Sequence, residues 1–336
     1  MRKRAAGRNQ TVLECFEDPT RGQVENPYTA LLASALTSAG LHVKFFRWTS
    51  ALFANYDVLH LHWPENLVRH QHPIRRLAKR ALALALLLRV GLTRGRVVRT
   101  VHNPRPHEVG GAFETWFLGM LDRMTTDWVV MNAATATPRN GRRHLIPHGH
   151  YRDWYQERVA TPVEGRLLTF GLIRPYKGTE RLLDAVRLIS DPSISLLVLG
   201  KPSDPEVAHA IATRAALDDR VTTKLRFAPD PELSGAIEEA EIVVLPYASM
   251  HNSGAVLLAL SLHRPVIVPD SPTTRLLEQE FGSAWIAILP AGWGAEDLLH
   301  AIRALRLLGR EKDGPEMPDR EWLGIGRRYA AAIGRG

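Results

Sequence analysis

Short apolar runs alternate along the whole chain with longer segments whose apolar residues recur at helical spacing, a pattern that predicts βαβ units and parallel sheets. In the first half the predicted strands are T-V-L-E-C-F, H-V-K-F-F-R-W, D-V-L-H-L-H-W, V-V-R-T-V-H-N, W-V-V-M-N and H-L-I-P-H-G. In the second half they are R-L-L-T-F-G, S-L-L-V-L-G, T-K-L-R-F-A, E-I-V-V-L-P, P-V-I-V-P and A-W-I-A-I-L-P. Twelve strands exceed one ordinary sheet, so the pattern predicts two α/β domains of about six strands each. The polar and aromatic stretch at 151–165 is the expected linker between a domain at 1–150 and one at 166–312, and 313–336 reads as a terminal helix.

Composition narrows the setting. With 336 residues and 45% hydrophobic content the chain is globular, with room for two cores. The single cysteine, Cys15, excludes an internal disulfide framework and fits a reducing compartment. No apolar signal segment follows M-R-K-R-A-A-G-R-N-Q, so a cytoplasmic location is expected. The longest apolar run, A-L-A-L-A-L-L-L at 81–88, is far shorter than the roughly 20 residues that span a bilayer.

Charge is unevenly spread. Residues 1–150 hold 21 Lys and Arg against 10 Asp and Glu, about +11, so the remainder carries about −3 of the overall +8. Arg75, Arg76, Lys79, Arg80 and Arg89 punctuate an apolar helical segment, followed by Arg94, Arg96 and Arg99. That pattern suits an anionic membrane surface, and equally a solvated face of an ordinary domain. Zinc-finger spacing and RNP-type aromatic motifs are absent, so no nucleic-acid partner is expected.

In open α/β sheets ligands gather beyond the carboxyl ends of the strands. After R-L-L-T-F the chain places Gly171, Arg174 and Lys177, then opens a helix at Gly178-Thr179, where free amides attract anions. After E-I-V-V-L-P come Tyr247 and His251, then Asn252, Ser253 and Gly254, small residues at the start of an apolar helix that would let a phosphate approach. The plainer alternatives are surface cations on a loop and a serine that only caps its helix. Two anion-ready loops on one sheet favour a single diphosphate ligand.

The runs F-G-L-I-R-P-Y-K-G-T-E-R-L-L-D-A, L-L-V-L-G-K-P, F-A-P-D-P-E-L-S-G-A-I-E-E-A-E-I-V-V-L-P-Y and S-G-A-V-L-L-A-L-S-L-H-R-P-V-I-V-P resemble the donor domain of GT-B glycosyltransferases. The resemblance implies two Rossmann-like domains facing across a cleft, a nucleotide-diphosphate sugar as co-substrate, and diphosphate contacts from Arg174, Lys177, Ser253 and Gly254. It also implies that the terminal helix crosses back to the first domain. The first half, through N-P-Y-T-A-L-L, D-V-L-H-L-H-W-P-E, T-V-H-N-P-R-P-H-E and I-P-H-G-H-Y, resembles bacterial mannosyltransferases acting on lipid-linked saccharides, including β-mannosyltransferases that use GDP-mannose. Asn26, His148 and His150 fall within those acceptor-side motifs.

One departure from the broad group shapes the expected chemistry. Its retaining members carry two glutamates seven residues apart, whereas residues 248–262 here contain no acid, and the approximate positions hold His251 and Ala259. Glu278 is a candidate to grip the ribose instead. An inverting reaction is then expected, with a general base from the first domain. Glu65 is the first candidate, because Pro64 stiffens its approach from a buried strand, and His62, His102 and Glu108 follow. The sequence shows no His-Glu-x-x-His helix, paired Cys or Asp-x-Asp motif, so no metal is expected, and Arg174, Lys177 and helix dipoles would neutralise the diphosphate. Competing readings of the same pattern are a non-catalytic nucleotide-sugar-binding protein and a nucleotide-sugar epimerase.

Overall fold

The computed structural model describes residues 10–334 apart from 22–25, 94, 104–109, 139, 156–160, 249 and 309–313. All twelve expected strands form. The chain divides into two compact units, one made of residues up to Gly149 together with Asp319 onward, the other of His150–Pro318.

The first unit runs β1 (Thr11–Glu14), α1 (Pro27–Ser38), β2 (His42–Phe45), α2 (Trp48–Phe53), β3 (Val58–Leu61), α3 (Pro73–Thr93), β4 (Arg96–Val101), α4 (Ala112–Met124), β5 (Asp127–Val130) and β6 (Arg142–Leu145). Its strands are all parallel, in the order β2-β1-β3-β4-β5-β6. The central strands are buried on both faces, as βαβ crossovers require, and two apolar clusters result. One packs Val12, Val58, Val98 and Val129 against α1; the other packs Leu13, Leu59, Leu61 and Val97 against α3 and α4. Strand β6 lies slightly earlier than the apolar pattern suggested, because Arg142 and His144 are recruited to the buried Asp127 at the head of β5.

The second unit runs β7 (Arg166–Phe170), α5 (Thr179–Leu188), β8 (Ser195–Leu199), α6 (Pro205–Ala215), β9 (Val221–Lys224), α7 (Asp230–Glu239), β10 (Ile242–Val244), α8 (Gly254–Ser261), β11 (Val266–Pro269), α9 (Pro272–Phe281), β12 (Ile286–Leu289) and α10 (Ala295–Leu307). The order β12-β11-β10-β7-β8-β9 is the doubly wound arrangement of a dinucleotide-binding sheet. Residues 151–155, expected to begin a linker, are packed into this unit: the Tyr151 amide donates to Ser261 Oγ at 2.9 Å and Trp154 Nε1 to Asp230 at 2.8 Å. Aromatic side chains in that segment find partners at hand, which is why it does not behave as a solvated tether.

The final helix, α11 (Trp322–Gly334), belongs to the first unit. Trp322, Ile325, Tyr329 and Ile333 complete the cluster beneath α1. The helices approach closely at Gly326, where an added Cβ would lie 2.2 Å from the Ala35 carbonyl oxygen. Arg96 Nη2 caps the last turn at the Ala332 carbonyl, 2.7 Å away.

Helix α3 is apolar on two sides. Ala83, Leu86, Leu87 and Val90 face the core, while Ile74, Leu77, Leu84, Leu88 and Leu92 are exposed. At 100° per residue the exposed five fall within one narrow stripe away from the buried face.

Candidate active site

Both sheets reverse their strand order at one place, and ligand-binding crevices form beyond the strand ends there. In the second unit the reversal lies between β7 and β10. The chain leaves β7 through Gly171, at φ 99°, which an L side chain adopts only with strain. It then makes a short 3₁₀ turn, Pro175–Lys177, and enters α5 through Gly178 at φ 67°. A Cβ on Gly178 would stand 2.2 Å from the Pro246 carbonyl, so only glycine lets the two strand ends touch.

This packing assembles a cationic corner. The Ala248 amide donates to the Tyr176 carbonyl at 2.8 Å, and the Lys177 ammonium lies 4.7 Å from the centre of the Tyr247 ring. Burial and the neighbouring Arg174 charge push the Lys177 ammonium down to about 8, so the corner favours an anion that would restore the charge. The Tyr247 hydroxyl is buried and finds no hydrogen-bond partner among the described residues. An orphaned hydroxyl on the ring that Lys177 overlies could donate to a phosphate oxygen.

Downstream, Ser253 caps α8 by accepting from the Val256 amide at 3.3 Å, and Val256–Ser261 are all buried. His251, Asn252, Ser253 and Gly254 remain half-exposed ahead of that apolar helix. Burial lowers the His251 imidazole below its ordinary value, leaving it neutral near pH 7. Glu278 sits half-buried in the last turn of α9, where its carbonyl accepts from Gly282.

In the first unit the reversal lies between β1 and β3, where the register sets Glu14 beside His60. Glu14 is wholly buried, which a carboxylate tolerates only with partners. Its two oxygens take His60 Nδ1 at 2.8 Å and His62 Nε2 at 3.0 Å. His62 Nδ1 meets His102 Nε2 at 3.0 Å, and His60 Nε2 meets Thr100 Oγ1 at 2.8 Å. Thr100 Oγ1 continues to the Tyr329 hydroxyl at 3.1 Å, on the last helix of the chain. Burial alone would raise the Glu14 carboxyl, but the two imidazoles more than reverse that and hold it at about 2. Burial and the neighbouring His60 push His62 down to about 4, and burial lowers His102 well below the ordinary range.

Glu14, His60 and His62 are the residue types of a metal site, and their ligand atoms lie within 4.8 Å of one another. Ligands about 2.0–2.1 Å from a tetrahedral zinc stand about 3.3 Å apart, whereas the contacts to Glu14 are 2.8 and 3.0 Å. The spacing is that of hydrogen bonds, and each oxygen is occupied by one ring.

Aromatic rings fix this network in place. Trp63 stacks on His102 at 4.3 Å and 20°, and the Tyr28 ring meets His102 edge-on at 5.2 Å. Tyr28 also packs against His148, whose Nδ1 is 2.7 Å from the Gly149 carbonyl. Asn26 caps α1 by accepting from the Tyr28 amide at 3.2 Å, so its side chain sets the helix that carries Tyr28. Glu65 stands half-buried in the 3₁₀ turn Pro64–Leu67, and its charge acts on Arg99. None of the bonds just described reaches it. His150 falls in the second unit, where its Nδ1 accepts from the Arg152 amide at 3.3 Å. Glu108, with His107, lies outside the described residues.

Beside Trp63 a cavity of about 460 Å³ opens, lined by Phe16, Phe46, Trp48, Trp63, Arg47 and Lys79 among others. Glu14 was not among the sequence candidates. Its signal was an acid ending an otherwise apolar strand, T-V-L-E, at the first position where the sheet could reverse.

Residues 164–306 match the family described as glycosyl transferases group 1. Over 98% of its length the chain is 41% identical to a GDP-mannose:glycolipid 4-β-D-mannosyltransferase of Xanthomonas campestris pv. campestris, covering 95% of that protein. The chain belongs to the group 1 glycosyl transferases. Among solved structures it superposes on sucrose-phosphate synthase of Thermosynechococcus elongatus with TM-score 0.60 at 16% identity, covering 97% of this chain and 95% of that one. It superposes equally well, TM-score 0.60 at 13% identity and 98% of both chains, on AviGT4, a glycosyltransferase of avilamycin A biosynthesis. The fold is therefore GT-B, and the protein is a glycosyltransferase rather than an epimerase or a binding module. In this glycosyltransferase the cationic corner of the second unit and the imidazole network of the first lie where each sheet reverses its strand order.

Proposed function

We propose that this glycosyltransferase moves a mannosyl group from GDP-mannose to a hydroxyl of a lipid-linked saccharide, inverting the anomeric centre. The observation that carries the proposal is that the likeness to the Xanthomonas mannosyltransferase runs through both units, not the donor half alone. GDP-mannose carries its sugar in the α configuration, and that relative's name gives a β product, so inversion follows if the chemistry is shared. The lack of an acid from 248 to 262 supports the same outcome.

In this reading the diphosphate rests on Arg174, Lys177, the Tyr247 hydroxyl and the amides that open α8, with Gly171 giving room for close approach. As the sugar–phosphate bond breaks, the second negative charge on the leaving group is met by these fixed donors, and no metal is needed. The aromatic cavity beside Trp63 supports a saccharide acceptor, since Trp48 and Trp63 offer flat apolar faces to sugar rings, and Arg47 and Lys79 offer charges to an acceptor phosphate.

A lipid-linked acceptor also calls for a membrane surface. Among the described residues no helix is long and apolar enough to cross a bilayer. The exposed stripe of α3, with Arg80 toward one side of it and Arg89 toward the other, supports shallow docking on anionic lipid instead.

The deciding experiment supplies purified enzyme with a panel of nucleotide sugars and a lipid-linked saccharide, and reads the new linkage by NMR. Mannose transferred from GDP-mannose with a β anomeric signal, unaffected by EDTA, is the expected result. An α product rejects inversion, and preference for another donor rejects the assignment of the sugar.

A further inference from the structure

The carboxylate at the bottom of the imidazole network has a chemical consequence. An ionised carboxylate only accepts hydrogen bonds, so Glu14 obliges His62 to carry its proton on Nε2. A neutral His62 then has its lone pair on Nδ1 and accepts from His102 Nε2–H. The lone pair of His102 is thereby fixed on Nδ1. The other branch obeys the same direction: His60 donates to Glu14 from Nδ1 and accepts from Thr100, Thr100 accepts from Tyr329, and Tyr329 accepts from Tyr28 at 3.4 Å. Every proton in the network points toward one buried carboxylate.

His102 is the one member of the Glu14–His62–His102 line that reaches half-exposure, at the strand end where β4 gives way to a loop. Its ring is held between the face of Trp63 and the edge of Tyr28. A histidine meant only to fill space needs no directed chain of protons beneath it.

We infer that Glu14, His62 and His102 form a proton relay in which Nδ1 of His102 is the general base for the acceptor hydroxyl, with Glu14 and His62 as positioning residues. The inference rests on the inverting reading above. In the step, the acceptor O–H proton passes to His102 Nδ1 as the oxygen forms its bond to the anomeric carbon. The bond from that carbon to the diphosphate oxygen breaks, and its electron pair leaves with the nucleoside diphosphate. The imidazolium formed on His102 donates more strongly from Nε2 to His62, whose Nε2–H strengthens its bond to Glu14. The proton later passes to solvent, restoring the ring.

The arrangement makes a distinctive demand on one variant. In Glu14→Gln the new amide can donate to His62 Nε2, which moves the His62 proton to Nδ1 and reverses the chain. His102 then accepts at Nε2 and carries its proton on Nδ1, where a base must have none. An analogous acid-to-amide change in the serine-protease triad leaves geometry intact while imposing the wrong tautomer.

The test combines kinetics with ¹⁵N NMR of the histidine rings. Wild-type His102 should be protonated on Nε2, and Glu14→Gln should shift the proton to Nδ1. Both Glu14→Gln and His102→Gln should lower kcat by roughly 10²- to 10⁴-fold, with nucleoside-diphosphate affinity and donor KM held within about threefold. Glu14→Asp should recover part of the lost turnover and the wild-type tautomer. His102→Gln with kcat near wild type, or wild-type His102 protonated on Nδ1, overturns the relay. The wild-type spectrum and His102→Gln decide the matter even if Glu14→Gln does not fold. A β product from a fully active His102→Gln enzyme removes the relay alone, whereas an α product removes the inverting reading on which it stands.

Discussion

Three imidazoles make the first unit sensitive to mild acid, one of them His102, which burial lowers well below its ordinary value. His62 and His148 are each lowered from 6.5 to about 4, chiefly by burial. Across that window the unfolded chain binds three protons that the folded unit refuses, so stability rises with pH and is lost as pH falls from about 6.5 to 4. Each tenfold change in proton affinity is worth about 1.4 kcal/mol, so each ring accounts for about 3 kcal/mol, and the pair approaches the whole stability of a modest domain. Glu14 works in a separate window: its depressed value of about 2 gives stability present above 4.5 and lost only as pH falls below that. Urea titrations at pH 7.5, 6.5, 5.5 and 5.0, followed by tryptophan fluorescence, should show a midpoint that falls steadily below pH 6.5. The steepest slope should be about 4 kcal/mol per pH unit, the signature of three protons. His148→Gln, which can keep the bond to the Gly149 carbonyl, should lower that slope by about a third. A midpoint flat from pH 7.5 to 5.0, with loss only below 4.5, would refute the reasoning by showing that the carboxylate rather than the imidazoles governs.

Other outcomes follow from single contacts. Replacing Arg174 or Lys177 with Ala should weaken nucleoside-diphosphate binding in calorimetry by about 1.5–3 kcal/mol, the value of hydrogen bonds to charged groups, and unchanged affinity in both would remove the cationic corner from the donor site. Tyr247→Phe should leave the melting temperature of the free protein unchanged or higher, because the lost hydroxyl has no partner among the described residues, yet weaken donor binding. Gly326→Ala forces a methyl against the Ala35 carbonyl and should cost about 1–3 kcal/mol in urea unfolding; a neutral result would mean the helices can part freely. Leu84→Asp with Leu88→Asp should abolish sedimentation with anionic vesicles while sparing nucleoside-diphosphate affinity, and unchanged sedimentation would remove α3 from the membrane contact.

Much of the architecture was legible because parallel strands covered on both faces announce themselves as apolar runs, as V-L-H-L and I-V-V-L do. Strand β9 was harder: V-T-T-K alternates weakly at a sheet edge, and the eye is drawn to the following L-R-F, which lies outside the strand. On the donor side, Gly171, Arg174, Lys177 and Tyr247 are close in sequence to two strand ends, so their meeting could be read from order alone. The relay could not. Glu14, His62 and His102 are far apart along the chain and meet only because β1, β3 and β4 lie side by side. Glu65, an acid just after a strand, was visible in the sequence and stands in the 3₁₀ turn opened by Pro64, where its charge acts on Arg99, whereas Glu14 was hidden inside an apolar word.

The return of α11 ties the order of synthesis to the readiness of the chemistry. Tyr28, Leu32 and Leu36 on α1 are covered by Trp322, Ile325 and Tyr329, which leave the ribosome only after all of residues 150–318 have been made. Until then the first unit has its sheet but lacks one wall, and the hydroxyl that hydrogen-bonds Thr100, and through it His60, has not yet been translated. A nascent chain interrupted short of α11 would thus expose a greasy groove that invites chaperones and proteases. It would also lack the Tyr329 hydroxyl at the end of the hydrogen-bond chain through Thr100 to His60, so one late helix completes both the wall and the chain.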